Sequence, residues 1–143
     1  MDYGVAISTA WDSILAGLPI LVVHLAVTIA LLLAGVAFYI FFAPYHELEL
    51  VRQGNVAAAI LLSGQSLALA IPLAAMMAYS VDVPDIVLWG VATIFLQFIA
   101  IVAVRLSIHH MTALIRRGDI AAALVLASAQ IAVGILNAAA LSG

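Results

Sequence analysis

Long uninterrupted apolar runs dominate the pattern of hydrophobic and polar positions along the chain. Four such runs extend from about residue 18 to 42, 55 to 78, 86 to 106 and 120 to 141. An α-helix of roughly 20 residues, at ~1.5 Å rise per residue, crosses a ~30 Å hydrocarbon core. No Asp, Glu, Lys or Arg lies in the middle of any run. Because a backbone in lipid must satisfy its own hydrogen bonds, the pattern predicts four transmembrane helices.

The segment before the first run, residues 1–17, has mixed polarity and includes Trp11 and Asp12. No Lys or Arg precedes Arg52, so the positively charged start of a signal peptide is missing. We interpret this segment as an interfacial helix or as an extension of the first helix.

Composition supports a membrane fold over a soluble one. The chain is 68% hydrophobic and 8% charged, whereas soluble domains have roughly 45–50% apolar and about 25% charged residues. The excess apolar surface requires lipid as its solvent. The chain has no cysteine, which excludes disulfides and thiolate metal sites. A net charge of −3 without a basic stripe argues against binding to nucleic acid.

The positions of the basic residues predict an orientation. The chain has four arginines and no lysine, and all four lie at the end of the third run or in the connections after the first and third runs. The connection after the second run, residues 79–85, has two aspartates and no base. The positive-inside rule therefore places the first and third connections in the cytoplasm and both termini outside it.

An internal similarity links the two halves of the chain, because residues 46–60 align with residues 110–124 at a spacing of 110 − 46 = 64. A polar Arg-x-Gly-[Asn/Asp] signature and an alanine triplet coincide in this alignment. The similarity predicts a single membrane domain, 1–143, made of two tandem two-helix repeats, about 18–79 and 86–143. Two helices per repeat give both copies the same orientation in the membrane.

Each residue of this signature has a structural role to which its chemistry is suited. We expect the arginines at the lipid headgroups, the glycines in a sharp turn and the Asn or Asp as the N-cap of the next helix. The residues are Arg52, Gly54 and Asn55 in the first half and Arg116, Gly118 and Asp119 in the second.

The same residues resemble a known family. Residues 44–59 with the Ile-Pro-Leu-Ala of residues 71–74, and residues 118–123 with 134–139 in the second half, are similar to the signature of the DUF350 family of small bacterial inner-membrane proteins. The resemblance covers nearly the whole chain and implies a location in the bacterial inner membrane. It implies architecture and supplies no activity.

Polar residues inside the predicted helices are the candidate functional residues, because hydrocarbon offers them no hydrogen-bond partner. They form a candidate intramembrane polar pathway of His24, Thr28, Gln65, Thr93, Gln97, Gln130 and Asn137. The alternative is that they bond helix to helix and serve packing alone. Amides and hydroxyls without a buried carboxylate suit a neutral solute, a weakly held ion or water.

The connections between the spans contain few residues that could bind a partner or catalyse a reaction. Glu47 and Glu49 are candidates for docking a cytoplasmic protein on a short interfacial helix. The histidines and carboxylates there show no recognised ligand spacing, so we expect no metal site and no cofactor. No phosphate loop or Ser/His/acid set occurs, and we expect no enzyme activity.

Two functions remain open from the sequence. One is an oligomeric channel- or transporter-like protein for an ion or small solute. The other is a non-transporting anchor or accessory subunit of an envelope-stress or cytoplasmic partner complex. We expect a homo-oligomer, with a dimer favoured, in contact through the small-residue faces of the second and fourth spans.

Overall fold

Six helices and no strand occur in the part of the chain that the computed structural model describes, residues 3–43, 47–107 and 110–142. Four of the helices are long and apolar enough to cross a membrane. The predicted all-α fold is confirmed for these residues, with four helices that could span a membrane. In chain order the helices are α1 (Tyr3–Phe42), α2 (Glu47–Arg52), α3 (Val56–Tyr79), α4 (Val83–Ser107), α5 (Met111–Arg116) and α6 (Ile120–Leu141).

Helices α1 and α4 begin earlier in the structure than their apolar runs predict. Helix α1 is continuous from Tyr3 through Pro19, so the residues before 18 extend the first helix. Helix α4 begins at Val83 rather than near residue 86. The Oδ1 atom of Asp82 accepts a hydrogen bond from the backbone N–H of Asp85 at 3.0 Å, which caps the start of α4.

The predicted N-caps of α3 and α6 are confirmed. The Oδ1 atom of Asn55 accepts from the backbone N–H of Ala58 at 2.9 Å, and that of Asp119 accepts from Ala122 at 3.0 Å. The preceding residues, Gly54 and Gly118, have φ of 84° and 82°. L-residues with a Cβ rarely adopt this left-handed conformation, so the turn into each helix depends on glycine.

Helices α3 and α6 form the closely packed centre of the bundle. A Cβ atom built on Gly64 would lie 2.5 Å from Cβ of Ala127, and one on Gly134 would lie 2.5 Å from the backbone O of Ala68. The two contacts advance in the same direction along both helices, so α3 and α6 are parallel. Near their starts, Nδ2 of Asn55 donates to the backbone O of Ile115 at 3.0 Å.

Helices α1 and α4 also run parallel to each other. Leu31 of α1 contacts Gly90 of α4, and four residues later Gly35 contacts Ile94. One turn further along, the Phe38 and Phe98 rings pack edge to face with centroids 5.0 Å apart. Both helices run antiparallel to α3.

Helix α1 extends well past the other helices at one end. Gly35 contacts Leu69 of α3, and in an antiparallel pair this register places the last residue of α3, Tyr79, beside residue 25 of α1. The α1–α4 register places Val83 beside residue 24. Residues 3–23 of α1, which we call the overhang, therefore lie beyond the bundle. All the side chains described from residue 9 to residue 23 are exposed.

The prediction that small-residue faces of the second and fourth spans form the contact between copies is wrong for α6. Ala123 and Gly134 of α6 are buried within one chain, where the Gly134 position meets the α3 backbone. On α3, the small residues Ser63 and Ala74 are exposed, so a contact between copies through this helix stays a prediction. The two helices use small residues to pack on each other.

Replacement of Gly134 by alanine should destabilise the bundle, because the added Cβ would collide with the backbone O of Ala68 and force the helices apart. We expect a loss of about 1–3 kcal/mol in the free energy of unfolding, measured by denaturant titration in detergent micelles. Gly17→Ala is the matched control, since nothing lies within 4 Å of its Cβ position. Equal stability of the two variants would contradict the close contact.

Candidate functional site

Three glutamines lie at the same depth in three neighbouring helices. We measure depth from the end of the bundle where α3 and α6 begin and α4 ends, called here the α2–α5 end. Gln65 lies 65 − 56 = 9 residues from it, Gln97 lies 107 − 97 = 10 and Gln130 lies 130 − 120 = 10. At ~1.5 Å per residue this is about 14–15 Å, the middle of a ~30 Å hydrocarbon core. We call Gln65, Gln97 and Gln130 the glutamine layer.

The glutamine layer is inside the bundle and not on its lipid-facing surface. Gln65 and Gln130 are 1% exposed and Gln97 is fully buried. The Nε2 atom of Gln97 donates a hydrogen bond to the backbone O of Gln130 at 3.0 Å, which joins α4 to α6 at this depth. The structure therefore brings two of the predicted pathway residues into direct contact.

The packing register places Gln65 and Gln97 at the same level of the α3–α4 interface. Gly90 of α4 packs against Leu73 and Met76 of α3. Seven residues form two helical turns, so Gln97 lies on the same face of α4 as Gly90. Because α4 is antiparallel to α3, Gln97 lies opposite the turn of α3 that contains Gln65.

Several polar atoms of this region have no hydrogen-bond partner among the residues described. They are Oε1 of Gln65, Oε1 of Gln97, Oε1 and Nε2 of Gln130, Oγ1 of Thr93 and Nδ2 of Asn137. Thr93, one turn from Gln97 on α4, is 1% exposed. A buried polar group without a partner costs roughly 1–3 kcal/mol. A protein built for packing alone gains stability by replacing such groups with apolar ones.

The predicted pathway residues on α1 lie away from the glutamine layer. Thr28 is nearly buried, and its hydroxyl donates to the backbone O of His24 at 2.8 Å within the same helix. The α1–α4 register places His24 beside Val83, at the far end of the bundle. His24 is half-buried there. The layer and these two residues thus occupy different depths.

A buried ion pair ties α2 to the transmembrane helices. The Nη2 atom of Arg105 lies 2.8 Å from Oε1 of Glu47, and the hydroxyl of Tyr39 donates to the same oxygen at 2.8 Å. Arg105 also donates to the Tyr39 hydroxyl and places its guanidinium 5.1 Å from the ring centroid. Glu47 is fully buried and Tyr39 is 2% exposed. These three residues join α1, α2 and α4.

The assignment of Glu47 to a docking surface is corrected by this geometry. Docking requires an exposed carboxylate, whereas the Glu47 carboxylate faces into the bundle and bonds within the chain. Glu49 is exposed, and its Oε1 accepts from Nε2 of Gln53 at 2.9 Å. Arg52 and Arg116 are exposed as well. His46 and His109, which the sequence analysis counted in the connections, lie outside the described residues.

The contacts of Tyr39 and Arg105 with Glu47 were not predictable from the sequence. Arg105 lies 58 residues from Glu47 in the chain, and no local pattern reports a pairing at that distance. The sequence did contain one indication of this contact. Tyr39 lies on the small and polar face of the first span, and Arg105 lies in the last turn of the third span. Both therefore lie near the membrane boundary, where Glu47 also lies.

Removing one member of this ion pair should cost more stability than removing an exposed charge. We expect Arg105→Met to lower the free energy of unfolding by about 3–5 kcal/mol, because the fully buried Glu47 carboxylate loses its partner. Glu47→Gln should cost less, because the Arg105 side chain is partly exposed and can be solvated. The double variant should lose less than the sum of the two single losses. Glu49→Gln, on the same short helix but exposed, is the control and should change stability by under about 0.5 kcal/mol. Unfolding titrations in micelles measure all four, and additive losses would show that the pair is uncoupled.

Comparisons with known proteins agree with the architecture. The family model described as "Domain of Unknown Function (DUF350)" matches residues 13–141. The "UPF0719 inner membrane protein YjfL" of Escherichia coli (strain K12) is 32% identical over 112 residues, which cover 73% of this chain and 85% of that protein. YjfL of Escherichia coli O157:H7 gives the same values. No solved structure matches. Four apolar helices and an inner-membrane relative support a location in the inner membrane, and the match over nearly the whole chain shows that the protein belongs to the DUF350 family.

Proposed function

We propose that this protein is an oligomeric, non-enzymatic conduit that passes an ion or a small solute across the inner membrane. The observation that supports the proposal is the set of buried amide and hydroxyl atoms without partners in the glutamine layer and at Thr93. Such atoms would gain hydrogen-bond partners from a polar species at the middle of the membrane. Among the described residues the layer offers amide and hydroxyl groups and no charged side chain, which suits a neutral or weakly held species.

In this proposal the described packing is the closed state of the pathway. Gln97 is fully buried between α3, α4 and α6, and one of its amide hydrogens is already bonded to α6. Passage requires the glutamine side chains to exchange these contacts for contacts with the solute. Long, unbranched amide side chains can do this by rotamer changes without moving the helix backbones.

The finer architecture belongs to the same proposal. We infer two tandem repeats, about 18–79 and 86–143, supported by the matching caps at Asn55 and Asp119 and by the parallel α3–α6 pair. We infer a homo-oligomer, most simply a dimer, because four helices leave little room for a pathway. We also infer that the α2–α5 end faces the cytoplasm, with both termini on the other side.

The orientation can be tested because the chain contains no cysteine. We expect Ser142→Cys in spheroplasts to react with a membrane-impermeant maleimide, since it follows α6 at the end away from α2 and α5. Gln53→Cys, which is exposed beside α2, should react only after the inner membrane is permeabilised. The reverse pattern of labelling would overturn the orientation.

The alternative function is a non-transporting anchor or accessory subunit. One observation favours it: a groove of about 450 Å³ opens between the two Arg-x-Gly turns and is lined in part by Gln53, Arg116 and Arg117. The ion pair of Glu47 holds α2 in place beside this groove. Charge changes at Glu49, Arg52 and Arg117 should impair this role while leaving a conduit intact.

Flux through purified protein in liposomes distinguishes the two functions. We expect flux of K⁺, Na⁺, H⁺ or a small neutral solute in the unmodified protein. The variant Gln65→Leu/Gln130→Leu should abolish that flux, because it removes two of the three side-chain amides of the layer, and should keep the fold, because the bond from Gln97 to the backbone O of Gln130 remains possible. Gln53→Leu is the matched control, since Gln53 is an exposed glutamine outside the layer.

The outcomes lead to different conclusions. Flux that the double variant loses and Gln53→Leu retains supports a pathway through the glutamine layer. Flux that all variants retain places the pathway elsewhere. Absence of flux from folded, oligomeric protein overturns the conduit proposal and favours the accessory role.

A further inference from the structure

A cavity of about 220 Å³ lies at the end of the bundle away from α2 and α5. Its walls come from the end of α3, the start of α4 and the end of α6, the same three helices that carry the glutamine layer. It is lined in part by Met76, Tyr79, Asp85, Trp89 and Leu141. Tyrosine and tryptophan are typical of the boundary between membrane and water. We call this space the outer cavity.

The outer cavity and the glutamine layer lie on the same faces of α3 and α6. Met76 follows Gln65 by 76 − 65 = 11 residues, and Leu141 follows Gln130 by 141 − 130 = 11. Eleven residues form about three helical turns, so each pair shares one face of its helix. At ~1.5 Å per residue, the cavity lies about 16 Å from the layer. This distance is about half of a ~30 Å hydrocarbon core.

Two further polar atoms lie between the outer cavity and the layer. Thr93 is 97 − 93 = 4 residues from Gln97, or about 6 Å toward the cavity. Asn137 is 137 − 130 = 7 residues from Gln130, or about 10 Å toward it. The Oγ1 atom of Thr93 and the Nδ2 atom of Asn137 are buried and have no hydrogen-bond partner among the described residues. Polar atoms thus continue from the layer toward the outer cavity.

The charged side chains at this end of the bundle are acidic. Asp85 lines the outer cavity and is half-buried, and Asp82 is exposed just before the start of α4. The chain has no lysine, and its four arginines lie in or beside α2 and α5 or in the last turn of α4, at the other end. His24 of α1 lies near this level but is not among the residues that line the cavity. A carboxylate in a partly enclosed space attracts cations and repels anions.

The unpartnered oxygens of the glutamine layer favour the same charge. They are the Oε1 atoms of Gln65, Gln97 and Gln130. Uncharged carbonyl oxygens can replace the hydration shell of K⁺, as they do in the filters of potassium channels. Divalent cations usually take carboxylate ligands, and the described residues of the layer provide none. The layer therefore suits a monovalent cation.

We propose that the outer cavity binds a monovalent cation and is the entrance through which this ion reaches the glutamine layer. The inference rests on the proposed conduit and narrows its species to this class of ion. The cavity has room for such an ion with part of its hydration shell, since a water molecule takes up about 30 Å³. Asp85 attracts the ion at the entrance, and the amide oxygens replace its water further in.

The fluorescence of Trp89 tests binding without requiring flux. Asp85 and Trp89 lie one turn apart on α4, and the other tryptophan of the chain is removed in the reporter Trp11→Phe. Tl⁺ is a monovalent cation close to K⁺ in size, and it quenches tryptophan fluorescence on contact. The reporter in uncharged micelles is titrated with thallium nitrate at constant ionic strength. A parallel titration with uncharged acrylamide measures how accessible the ring is.

We expect Asp85→Asn in the reporter to lower the Tl⁺ quenching constant about fivefold, because the cavity loses its negative charge. K⁺ should compete with Tl⁺ in the reporter itself. Asp12→Asn is the matched control, since it removes an exposed acid that does not line the cavity, and should leave Tl⁺ quenching unchanged. Acrylamide should quench all these proteins equally.

Equal Tl⁺ quenching in the Asp85→Asn and Asp12→Asn proteins would overturn the proposal. Asp85→Glu keeps the charge and should keep the quenching even if Asp85→Asn alters the local packing. Loss of quenching in Asp85→Glu would show that the charge is not the cause, and would overturn the proposal as well.

Flux through liposomes separates this inference from the conduit. Flux of K⁺ that Asp85→Asn lowers supports both. Flux of a neutral solute, without quenching by Tl⁺ that depends on Asp85, supports the conduit and overturns the cation. Quenching that depends on Asp85, without any flux, supports the cation site and overturns the pathway behind it.

Discussion

The close parallel contact between α3 and α6 is the constraint on which the rest of the structure depends. Gly64 and Gly134 let the two helix backbones approach until an added methyl group would collide with the facing residue. Two parallel helices at this distance bring their N-caps side by side, and Asn55 then bonds across to the end of α5. The same contact sets Gln65 and Gln130 at one depth. Helices α1 and α4 pack on the centre that this pair forms.

The interior of the bundle is tightly packed, but it contains polar atoms that form no hydrogen bond with the described residues. Close packing between small residues stabilises helix association in lipid, where no hydrophobic effect drives helices together. Unpartnered amides at the same depth oppose that gain, because the surrounding medium offers no water. The ion pair between the buried Glu47 and the partly exposed Arg105 differs, since each charge has its partner and the pair joins two elements. The glutamine layer is thus the part of the structure that packing does not explain.

The spans and caps could be predicted from the sequence because both are local properties. The length of an apolar run determines whether a helix can span the membrane. The Gly-Asn and Gly-Asp pairs determine the turn and the N-cap within a few residues. The environment of Glu47 could not be predicted, since its partners come from two other helices. The depth of His24 was also missed. A helical wheel gives the face of a residue, but its level depends on how α1 slides along α4, which only tertiary packing fixes.

The extent of the overhang was hidden from the sequence for a related reason. The first apolar run extends from about residue 18 to residue 42, and nothing in that run marks where the neighbouring helices stop. The register of Leu31 on Gly90 marks it, and assigns the N-terminal half of α1 to a different environment from the rest of the same helix. One continuous helix therefore packs in the bundle over its C-terminal half and extends beyond it over its N-terminal half.

Contact between the glutamine layer and water is the most direct test of the central claim, that a polar species reaches the middle of this bundle. The chain has four glutamines, three in the layer and the exposed Gln53 as an internal reference. Water-edited solid-state NMR of glutamine-labelled protein in lipid bilayers reports which side-chain amides exchange magnetisation with water. The account predicts transfer to Gln65, Gln97 and Gln130 as well as to Gln53. Transfer to Gln53 alone would contradict it and leave the layer as a dry packing element.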